Sequence, residues 1–446
     1  MSILSMAGQL MLSLSILIVL HELGHFIPDR LFKTRVEKFY LFFDPWFSLI
    51  KFKKGDTEYG IGWLPLGGYV KISGMIDESF DAAQMAQEPQ PWEFRSKPAW
   101  QRLIIMLGGV TVNFILGFLL FSMTLFVWGD SYIPASQVKN GISVDSLGRD
   151  LGLLDGDQIL KIGDKPFTEF NDRLVIRGII IDNAQSIEVL RDGKVTQIPV
   201  DEKWVDILSR YENKSNFLFS ARLPFEISSV TKNSPAEKAG LKSDDIVIGL
   251  NDVPTPYFHD FVKAVKPYAN KEIVINVLRD KDTLSLPITT TKDAKIGAFT
   301  YPFNHYFTSD VREYSFLASI PAGFSLGSQF LGDQFKAFGQ MFKGKIKASE
   351  SLGGFGSIAS MYGDVWIWER FWKMTAVLSL ILGFMNLLPI PALDGGHVMF
   401  LLYEVVTGRK PSDKFMEIAT MIGFILILSL VIFANGLDIF RNFFNK

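Results

Sequence analysis

The sequence contains no cysteine among its 446 residues, and it contains only 5 histidines. The absence of cysteine excludes both a disulfide framework and thiolate metal ligands. The formal net charge of -2 leaves no basic surplus, which argues against a nucleic-acid-binding protein. Any metal ion would therefore have to be held by histidine and carboxylate side chains.

The composition is too apolar for an ordinary soluble enzyme and too polar for a pure membrane bundle. Hydrophobic residues make up 48% of the chain and include 39 phenylalanines, yet 21% of the residues are charged. Such a balance predicts membrane helices combined with soluble domains.

Four apolar segments approach the length of about 20 residues that a helix needs to cross a bilayer. The first contains no basic residue before Gln9, so we interpret it as a retained helix rather than a cleaved signal. The segments cover residues 6–27, 103–128, 374–393 and 418–437.

Lysine and arginine residues near the segment ends predict the orientation in the membrane. They flank the connector between the first two segments and also lie between the last two, as in Arg30, Arg102 and Arg409. Because such residues favour the cytoplasmic side, both connectors should be cytoplasmic. The long stretch of residues 129–372 should then be periplasmic if the cell is a Gram-negative bacterium.

The pentad His21-Glu22-Leu23-Gly24-His25 lies at the end of the first apolar segment. Histidines four residues apart share one helical face and can hold one zinc ion, while Glu22 can act as general base. The alternative is a pair of interfacial histidines without a ligand. Ionisable groups are costly at membrane depth, which favours a metalloprotease centre there.

A catalytic zinc ion usually has three protein ligands, and Asp394 is the candidate for the third. It follows Pro389 and Pro391, which break the third apolar segment at the predicted depth of His21 and His25. The competing interpretation is an aspartate that merely ends a helix before Gly395 and Gly396.

The pentad together with residues 386–396 (Asn-Leu-Leu-Pro-Ile-Pro-Ala-Leu-Asp-Gly-Gly) resembles the paired signature of the site-2 family of intramembrane zinc metalloproteases. The resemblance covers essentially the whole chain. It implies one catalytic Zn²⁺, a substrate-contacting role for Asn386, and a location in the bacterial inner membrane. The stretch from Gly108 to Asn113 resembles a further family pattern but has Gly109 where proline is usual, and Asn113 is expected to help pack the site.

An internal repeat supports two small domains in the periplasmic stretch. Residues 239–248 align with residues 151–160 at an offset of 88 residues. The run from Ser234 to Leu241 resembles the helix-turn-strand signature of bacterial PDZ domains. Such domains bind extended peptide ends, and the alternatives are filtering of substrates by size and a mere spacer role.

The first cytoplasmic connector is predicted to form four short strands, at residues 36–43, 47–52, 57–63 and 68–72. Its aromatic density suggests a sheet that lies against the membrane lipid or dips into it. Gly60-Ile61-Gly62 resembles the substrate-clamping G-x-G loop of the family, and we expect Gly60 and Gly62 in an edge strand that receives the substrate.

The predicted fold is an α-helical membrane protein with four transmembrane helices, a membrane-associated cytoplasmic β-sheet and two periplasmic α+β PDZ domains. Residues 315–342 are expected to form an amphipathic helix on the outer leaflet. The predicted regions are helix 1 (1–28), the β-region (29–99), helix 2 (100–128), PDZ domain 1 (129–220), PDZ domain 2 (221–308), a helical linker (309–372), helix 3 (373–396), a cytoplasmic loop (397–416) and helix 4 with the tail (417–446).

The predicted activity is hydrolysis of the transmembrane segment of a single-pass protein of the anti-sigma-factor type, with signal-peptide remnants as further substrates. Two other classes of protein compete with this activity. A membrane-tethered PDZ scaffold without catalysis would not need the complete set of His21, Glu22, His25, Asn386 and Asp394. A transporter predicts an inverted repeat among the spans, which the four dissimilar segments do not display.

Overall fold

The computed structural model describes residues 2–65, 67–75, 87–213 and 216–444. The chain divides into two compact units. The first consists of residues 1–129, 313–335 and 352–446, and the second of residues 130–312 and 336–351.

Long apolar helices dominate the first unit. Among the described residues, three of these helices are long and apolar enough to cross a membrane, over Ile3–Leu31, Ala99–Trp128 and Asp413–Arg441. The predicted span over residues 374–393 is helical only to Leu387, and its helix begins with the polar sequence Trp-Glu-Arg. The helices are α1 Ser2–Leu31, α2 Ala99–Trp128, α9 Phe316–Phe342 (through residue 335 in this unit), α11 Phe355–Tyr362, α12 Trp368–Leu387, α13 Asp394–Thr407 and α14 Asp413–Phe444.

All four predicted strands of the first connector are present, as one sheet. They are β1 Val36–Leu41, β2 Phe43–Lys54, β3 Thr57–Leu64 and β4 Tyr69–Ile72, in the order β2-β3-β1-β4. β1 and β3 run parallel, so this sheet is not a simple meander. β2 leaves large apolar side chains uncovered, above all Trp46, which is 91% exposed.

Two predicted regions differ in the structure from their description in the sequence. The sequence predicts a loop over residues 397–416, but α13 continues to Thr407 because Val398 and Leu401 pack into the cluster around Ile105 and Met106. The helical linker predicted for residues 309–372 does not belong to one unit, since residues 336–351 cluster with the second unit. There Ile346 is buried among the core residues of residues 142–219.

The second unit contains two α+β modules with separate cores. In the first module, one sheet contains β7, β9 and β10, and β6 pairs separately with β11. In the second module, one sheet contains β12, β13, β15, β16 and β17. The strands are β5 Asp130–Tyr132, β6 Ile142–Val144, β7 Gln158–Ile162, β8 Lys165–Pro166, β9 Ser186–Arg191, β10 Lys194–Pro199, β11 Phe219–Ala221, β12 Phe225–Val230, β13 Ile246–Leu250, β14 Val253–Pro254, β15 Glu272–Arg279, β16 Asp282–Thr289, β17 Ala298–Thr300 and β18 Asp310–Arg312. The helices are α3 Ser146–Asp150, α4 Asp172–Ile180, α5 Lys203–Ser209, α6 Pro235–Lys238, α7 Phe258–Val265, α8 Phe303–Tyr306 and α10 Ala348–Ser351.

The internal repeat reappears in these modules as one ion-pair arrangement that occurs in both. Arg191 donates from Nε and Nη2 to the two carboxylate oxygens of Asp157, both at 2.8 Å, and also to the carbonyl of Gly152. Arg279 makes the same contacts to Asp245, at 2.6 and 2.7 Å, and to the carbonyl of Gly240. In each module a buried aspartate in the turn before one strand (β7 or β13) is therefore paired with the arginine that ends the next long strand (β9 or β15).

Removing one arginine should destabilise only its own module. Arg279→Ala leaves Asp245 fully buried without its counter-ion, and an uncompensated buried charge costs about 3–5 kcal/mol. We expect hydrogen exchange in the full-length protein to accelerate in β13 and β15. Arg191→Ala is the matched control and should accelerate exchange in β7 and β9 instead; equal effects on both modules would contradict this assignment.

The same pair makes the second module sensitive to acid. Burial alone raises the pKa of Asp245, but hydrogen bonds from Arg279 and from the Lys242 N–H outweigh it, so the pKa lies below its ordinary value. A carboxyl group with a depressed folded-state pKa stabilises the fold above its unfolded pKa of about 3.9, and this stability is lost as the pH falls through the folded-state pKa.

Candidate metal centre

His21, His25 and Asp394 come together in the first unit. The Nε2 atoms of His21 and His25 each lie 3.3 Å from Asp394 Oδ2, and they are 3.3 Å from one another. The three ligand atoms thus form a nearly equilateral triangle. The three residues are the only group of histidine, aspartate or glutamate side chains in the described parts of the chain with metal-ligand spacing.

This triangle has the size of a zinc site. Tetrahedral ligands at about 2.0 Å from zinc are separated from one another by about 3.3 Å, and three protein ligands leave the fourth position open for chemistry. Two imidazoles and one carboxylate are also donors that suit zinc. Asp394 Oδ2 is buried without a hydrogen-bond partner among the described residues, as expected of an oxygen reserved for a cation.

A hydrogen bond to α2 fixes the orientation of His25. The His25 ring lies one turn beyond His21 on α1, and its Nδ1 donates to the carbonyl of Ile105 on α2 over 2.9 Å. This hydrogen bond leaves Nε2 unprotonated and directed at the other two ligands, because a neutral imidazole carries one proton.

Asn113 contacts the ring of His21, and its amide nitrogen lies 3.0 Å from His21 Nδ1. When the carboxamide is flipped, so that nitrogen and oxygen exchange places, the oxygen would accept the Nδ1 proton and free Nε2 for the metal. The hydroxyl of Ser379 on α12 donates to the backbone carbonyl of Asn113 over 2.7 Å and so braces this residue. Asn386 also approaches the ring, with its amide nitrogen 3.4 Å from His21 Nε2.

Loss of the Asn113 acceptor should weaken metal binding. Asn113→Leu is expected to lower the zinc affinity about 10–100-fold, the usual effect of removing a partner that orients a metal ligand. Asn113→Asp retains an acceptor for the Nδ1 proton and should restore most of the affinity. Competition titration with a zinc-binding dye measures both, and an unchanged affinity for Asn113→Leu would rule out this role.

Asp394 reaches the site through an irregular segment. α12 ends at Leu387, and α13 begins at Asp394 itself, so this aspartate starts a helix rather than ending one. The first turn of a helix favours a carboxylate through its dipole. Just before it, Ala392 has φ +87°, a backbone conformation that is strained for a residue with a Cβ and that often occurs at functional sites.

Glycines let α2 approach the histidine-bearing face of α1 closely. Where α1 crosses α2, a Cβ on Gly24 would lie 2.5 Å from the carbonyl oxygen of Gly108. A Cβ on Gly109 would lie 2.3 Å from His25 Nε2 and 2.6 Å from His21 Cε1. Gly109 thus makes room for both imidazoles and Gly108 for the backbone of α1, roles that the sequence motif alone did not reveal.

Gly60 and Gly62 do not lie in an edge strand, so that prediction is wrong. Gly60 is paired with Tyr40 of β1 on one side and with Lys51 of β2 on the other. A Cβ on Gly60 would lie 2.3 Å from the Tyr40 ring, so this glycine makes room for an aromatic side chain inside the sheet. A Cβ on Gly62 would lie 2.1 Å from the carbonyl oxygen of Phe43, beside the irregular part of β2.

The strand at the other end of the sheet approaches Glu22. β4 is an edge strand, and Gly68 immediately precedes it. A Cβ on Gly68 would lie 3.5 Å from Glu22 Cγ and 2.5 Å from Ile18 Cγ2. Glu22 itself is buried beside the ligand pair.

Asp29 is a buried acidic residue that sequence reasoning did not select. It follows His25 by four residues on α1, and both of its carboxylate oxygens lack a hydrogen-bond partner among the residues described. The recurrence of ionisable residues at positions 21, 25 and 29 was the available signal, because this spacing keeps them on one helical face.

Comparison with known proteins agrees with this geometry. The family model of peptidase family M50 matches residues 9–430. The regulator of sigma E protease of Haemophilus influenzae is 28% identical over 467 aligned positions, which cover 99% of this chain and 100% of that protein. Protease RseP of Yersinia pestis is 26% identical, with 99% of each chain covered. The Salmonella typhimurium protein named regulator of sigma-E protease RseP is also 26% identical over 99% of each chain.

Proposed function

The chain belongs to peptidase family M50, the site-2 proteases, and we propose that it uses one zinc ion at His21, His25 and Asp394 to cleave the transmembrane segment of a single-pass membrane protein. The observation that carries this proposal is the 3.3 Å triangle of ligand atoms on apolar helices, with Glu22 between the two histidines.

The residues of this chain divide the chemistry between them. When bound at the three ligands, zinc supplies Lewis-acid chemistry, lowering the pKa of water and polarising a carbonyl group. Glu22 accepts a proton from the attacking water and delivers it to the nitrogen of the leaving amine as the peptide bond breaks. The Ile105 carbonyl keeps His25 in the tautomer that can bind a metal. The amide oxygen of Asn113 would do the same for His21 once the carboxamide is flipped.

The substrate has to be extended, because a helical peptide hides its carbonyl carbons. β4 offers a free sheet edge among the described strands, next to Glu22 at Gly68. We propose that the unwound substrate adds to this edge as a further strand. Asn386, beside His21, would contact it from the opposite side.

The β1–β4 sheet would lie at the lipid surface. β2 exposes Trp46, Phe47, Leu49, Ile50 and Phe52, an apolar area too large for a soluble sheet. This exposure supports association of the sheet with the membrane. We further propose that α12 is a fourth span and that the enzyme lies in the bacterial inner membrane.

The two modules of the second unit are proposed to be tandem periplasmic PDZ domains. β17 at the end of the second module's sheet is an edge that could receive a peptide end, and filtering of substrates by size is the other proposed role. The relatives are named as regulators of sigma E, which supports a role in regulating a sigma factor. We propose a substrate of the anti-sigma-factor type, already trimmed on its periplasmic side.

Cleavage of a tagged, periplasmically trimmed single-pass substrate by the full-length protein in detergent tests the proposal. We expect cleavage that a zinc chelator stops and added zinc restores. Asp394→Asn should lose both zinc and cleavage. Asp413→Asn is the matched control, because it changes an exposed aspartate that likewise begins a helix.

Two results would count against the proposal. Cleavage that survives both chelation and Asp394→Asn would remove the metal mechanism. Zinc binding without cleavage of any single-pass substrate would favour the scaffold interpretation.

A further inference from the structure

A network of hydrogen-bonded side chains connects the edge strand β4 to the start of β2. Tyr69 on β4 donates from its hydroxyl to Asp44 Oδ1 over 2.8 Å, and the Ser48 hydroxyl donates to Asp44 Oδ2 over 3.0 Å. The hydroxyls of Ser48 and Tyr40 lie 3.2 Å apart, and Tyr40 also donates to Glu58 over 2.7 Å. All four strands of the sheet thus contribute to one network, and Asp44 is its link to β4.

Aromatic stacking reinforces this link. The Tyr69 ring stacks against the rings of Tyr40 and Phe43, with centroid distances of 5.3 and 5.9 Å and planes inclined by 14° and 7°. Burial raises the pKa of the Tyr69 hydroxyl, and the bond to Asp44 raises it further, so this group stays protonated and donates. Tyr69 is therefore held both by its ring and by its hydroxyl.

The segment that carries Asp44 has an unusual backbone conformation. Phe42 and Trp46, two residues before and two residues after Asp44, have φ angles of +67° and +73°. Residues with a Cβ adopt this left-handed conformation rarely, and it persists only where the surrounding structure enforces it. Gly62 accommodates the segment closely, since a Cβ there would lie 2.1 Å from the Phe43 carbonyl oxygen. Such strain clusters at functional sites.

The carboxyl group of Asp44 also has an unusual location. The same sheet exposes large apolar side chains on β2, among them Trp46 and Phe47, and it is proposed to lie at the lipid surface. Ionisable groups close to lipid are costly and are functional candidates by default. An apolar side chain would suit such a sheet better, so the carboxyl group points to a task that needs its two acceptor oxygens.

The strand that Asp44 holds lies beside the proposed general base. A Cβ on Gly68, the residue before Tyr69, would lie 3.5 Å from Glu22 Cγ and 2.8 Å from the Tyr40 carbonyl oxygen. The backbone at this point is thus packed closely on both sides. Any displacement of Tyr69 along its strand would therefore move the backbone next to Glu22.

We propose that Asp44 is a positioning residue for the cleavage reaction. By holding Tyr69 it fixes β4, and the register in which an unwound substrate adds to β4 selects the peptide bond that faces the metal ligands. Register matters because a slip of one residue turns every side chain of a strand to the other face. This inference rests on the proposed function, in which β4 receives the substrate.

Mapping of cleavage sites by mass spectrometry tests this role in the full-length protein. We expect the wild type to cut the tagged single-pass substrate mainly at one bond. Tyr69→Phe keeps the stacked ring but loses the hydroxyl, so neighbouring bonds should give at least about 10% of the product and KM should rise about tenfold, with unchanged zinc content. Asp44→Ala should behave in the same way, whereas Asp44→Asn keeps an acceptor oxygen and should restore the single site.

Tyr59→Phe is the matched control in the same sheet. Its ring packs on those of Phe39 and Phe52, and its hydroxyl has no hydrogen bond to a described residue. It should keep the cleavage site and the KM of the wild type. An unchanged site in Tyr69→Phe and Asp44→Ala would overturn the proposal, and a lower melting temperature with that unchanged site would identify a purely structural network.

Disulfide cross-linking measures the register without catalysis. The chain has no cysteine, so Lys71→Cys on β4 introduces a single thiol, which is tested against single-cysteine variants of the tagged substrate with a zinc chelator present. We expect cross-linking to peak at one substrate position and to spread over neighbouring positions when Tyr69→Phe is added.

The same peak with and without Tyr69→Phe would overturn the proposal. So would the absence of any cross-link, since the substrate would then not add to β4. A peak that Tyr69→Phe spreads, in a protein that cleaves no substrate, would leave the positioning role standing and reject the proposed function instead.

Discussion

Replacing Glu22 with glutamine is expected to lower kcat about 10²–10⁴-fold, the range that a positioned general base contributes. Glutamine has nearly the same shape but cannot accept the proton of the attacking water. The zinc content should not change, because the three ligand atoms belong to His21, His25 and Asp394. Cleavage rates at saturating substrate and metal analysis of the same preparation measure both quantities.

Glu369→Gln is the matched control. It makes the same chemical change in a helix of the same unit, at a glutamate that is remote in sequence from the ligands. Glu369 pairs with Lys373 in the first turns of α12, and its substitution should leave kcat unchanged. If Glu22→Gln lost zinc together with activity, Glu22 would be a ligand or a structural residue, and the assignment of the general base would fail.

Local patterns made the centre of this site predictable. Histidines four residues apart must share a helical face, so the geometry of His21 and His25 follows from the helix alone. The depth at which its segment should end predicts Asp394 as the third ligand, and its Oδ2 lies 3.3 Å from the Nε2 atoms of both histidines. The four strands of the first connector were also predictable, because aromatic and β-branched residues are punctuated there by Asp-Pro and Gly-Asp.

Features that depend on distant chain segments were not predictable. The parallel pairing of β1 with β3 moves Gly60 into the interior of the sheet, and no local pattern encodes strand order. The hydrogen bond between Asn113 and His21 joins residues 92 positions apart. Residues 397–416 are predicted as a loop because they connect two apolar segments, and only the packing of Val398 and Leu401 in one cluster with Ile105 and Met106 of α2 reveals the helix α13.

The close approach of α1 to α2 at Gly109 predicts a second large effect, a loss of zinc affinity. Gly109→Ala is expected to lower the zinc affinity beyond the about 10–100-fold typical of losing one orienting partner. Its methyl group would lie 2.3 Å from His25 Nε2 and 2.6 Å from His21 Cε1, so both imidazoles would have to move. His25 cannot move without breaking its bond to the Ile105 carbonyl. Zinc titration and cleavage rates measure the loss.

Gly8→Ala separates this effect from the general consequences of adding a methyl group to a membrane helix. No atom lies within 4 Å of a Cβ on Gly8, and alanine favours a helix over glycine by about 1 kcal/mol, so zinc binding and activity should be unchanged. The melting temperature of zinc-free Gly109→Ala should likewise stay near that of the zinc-free wild type, since the methyl group meets the side-chain rings rather than backbone. Normal zinc affinity in Gly109→Ala would mean that the two helices can separate freely, and the close crossing could not be what holds the ligand triangle together.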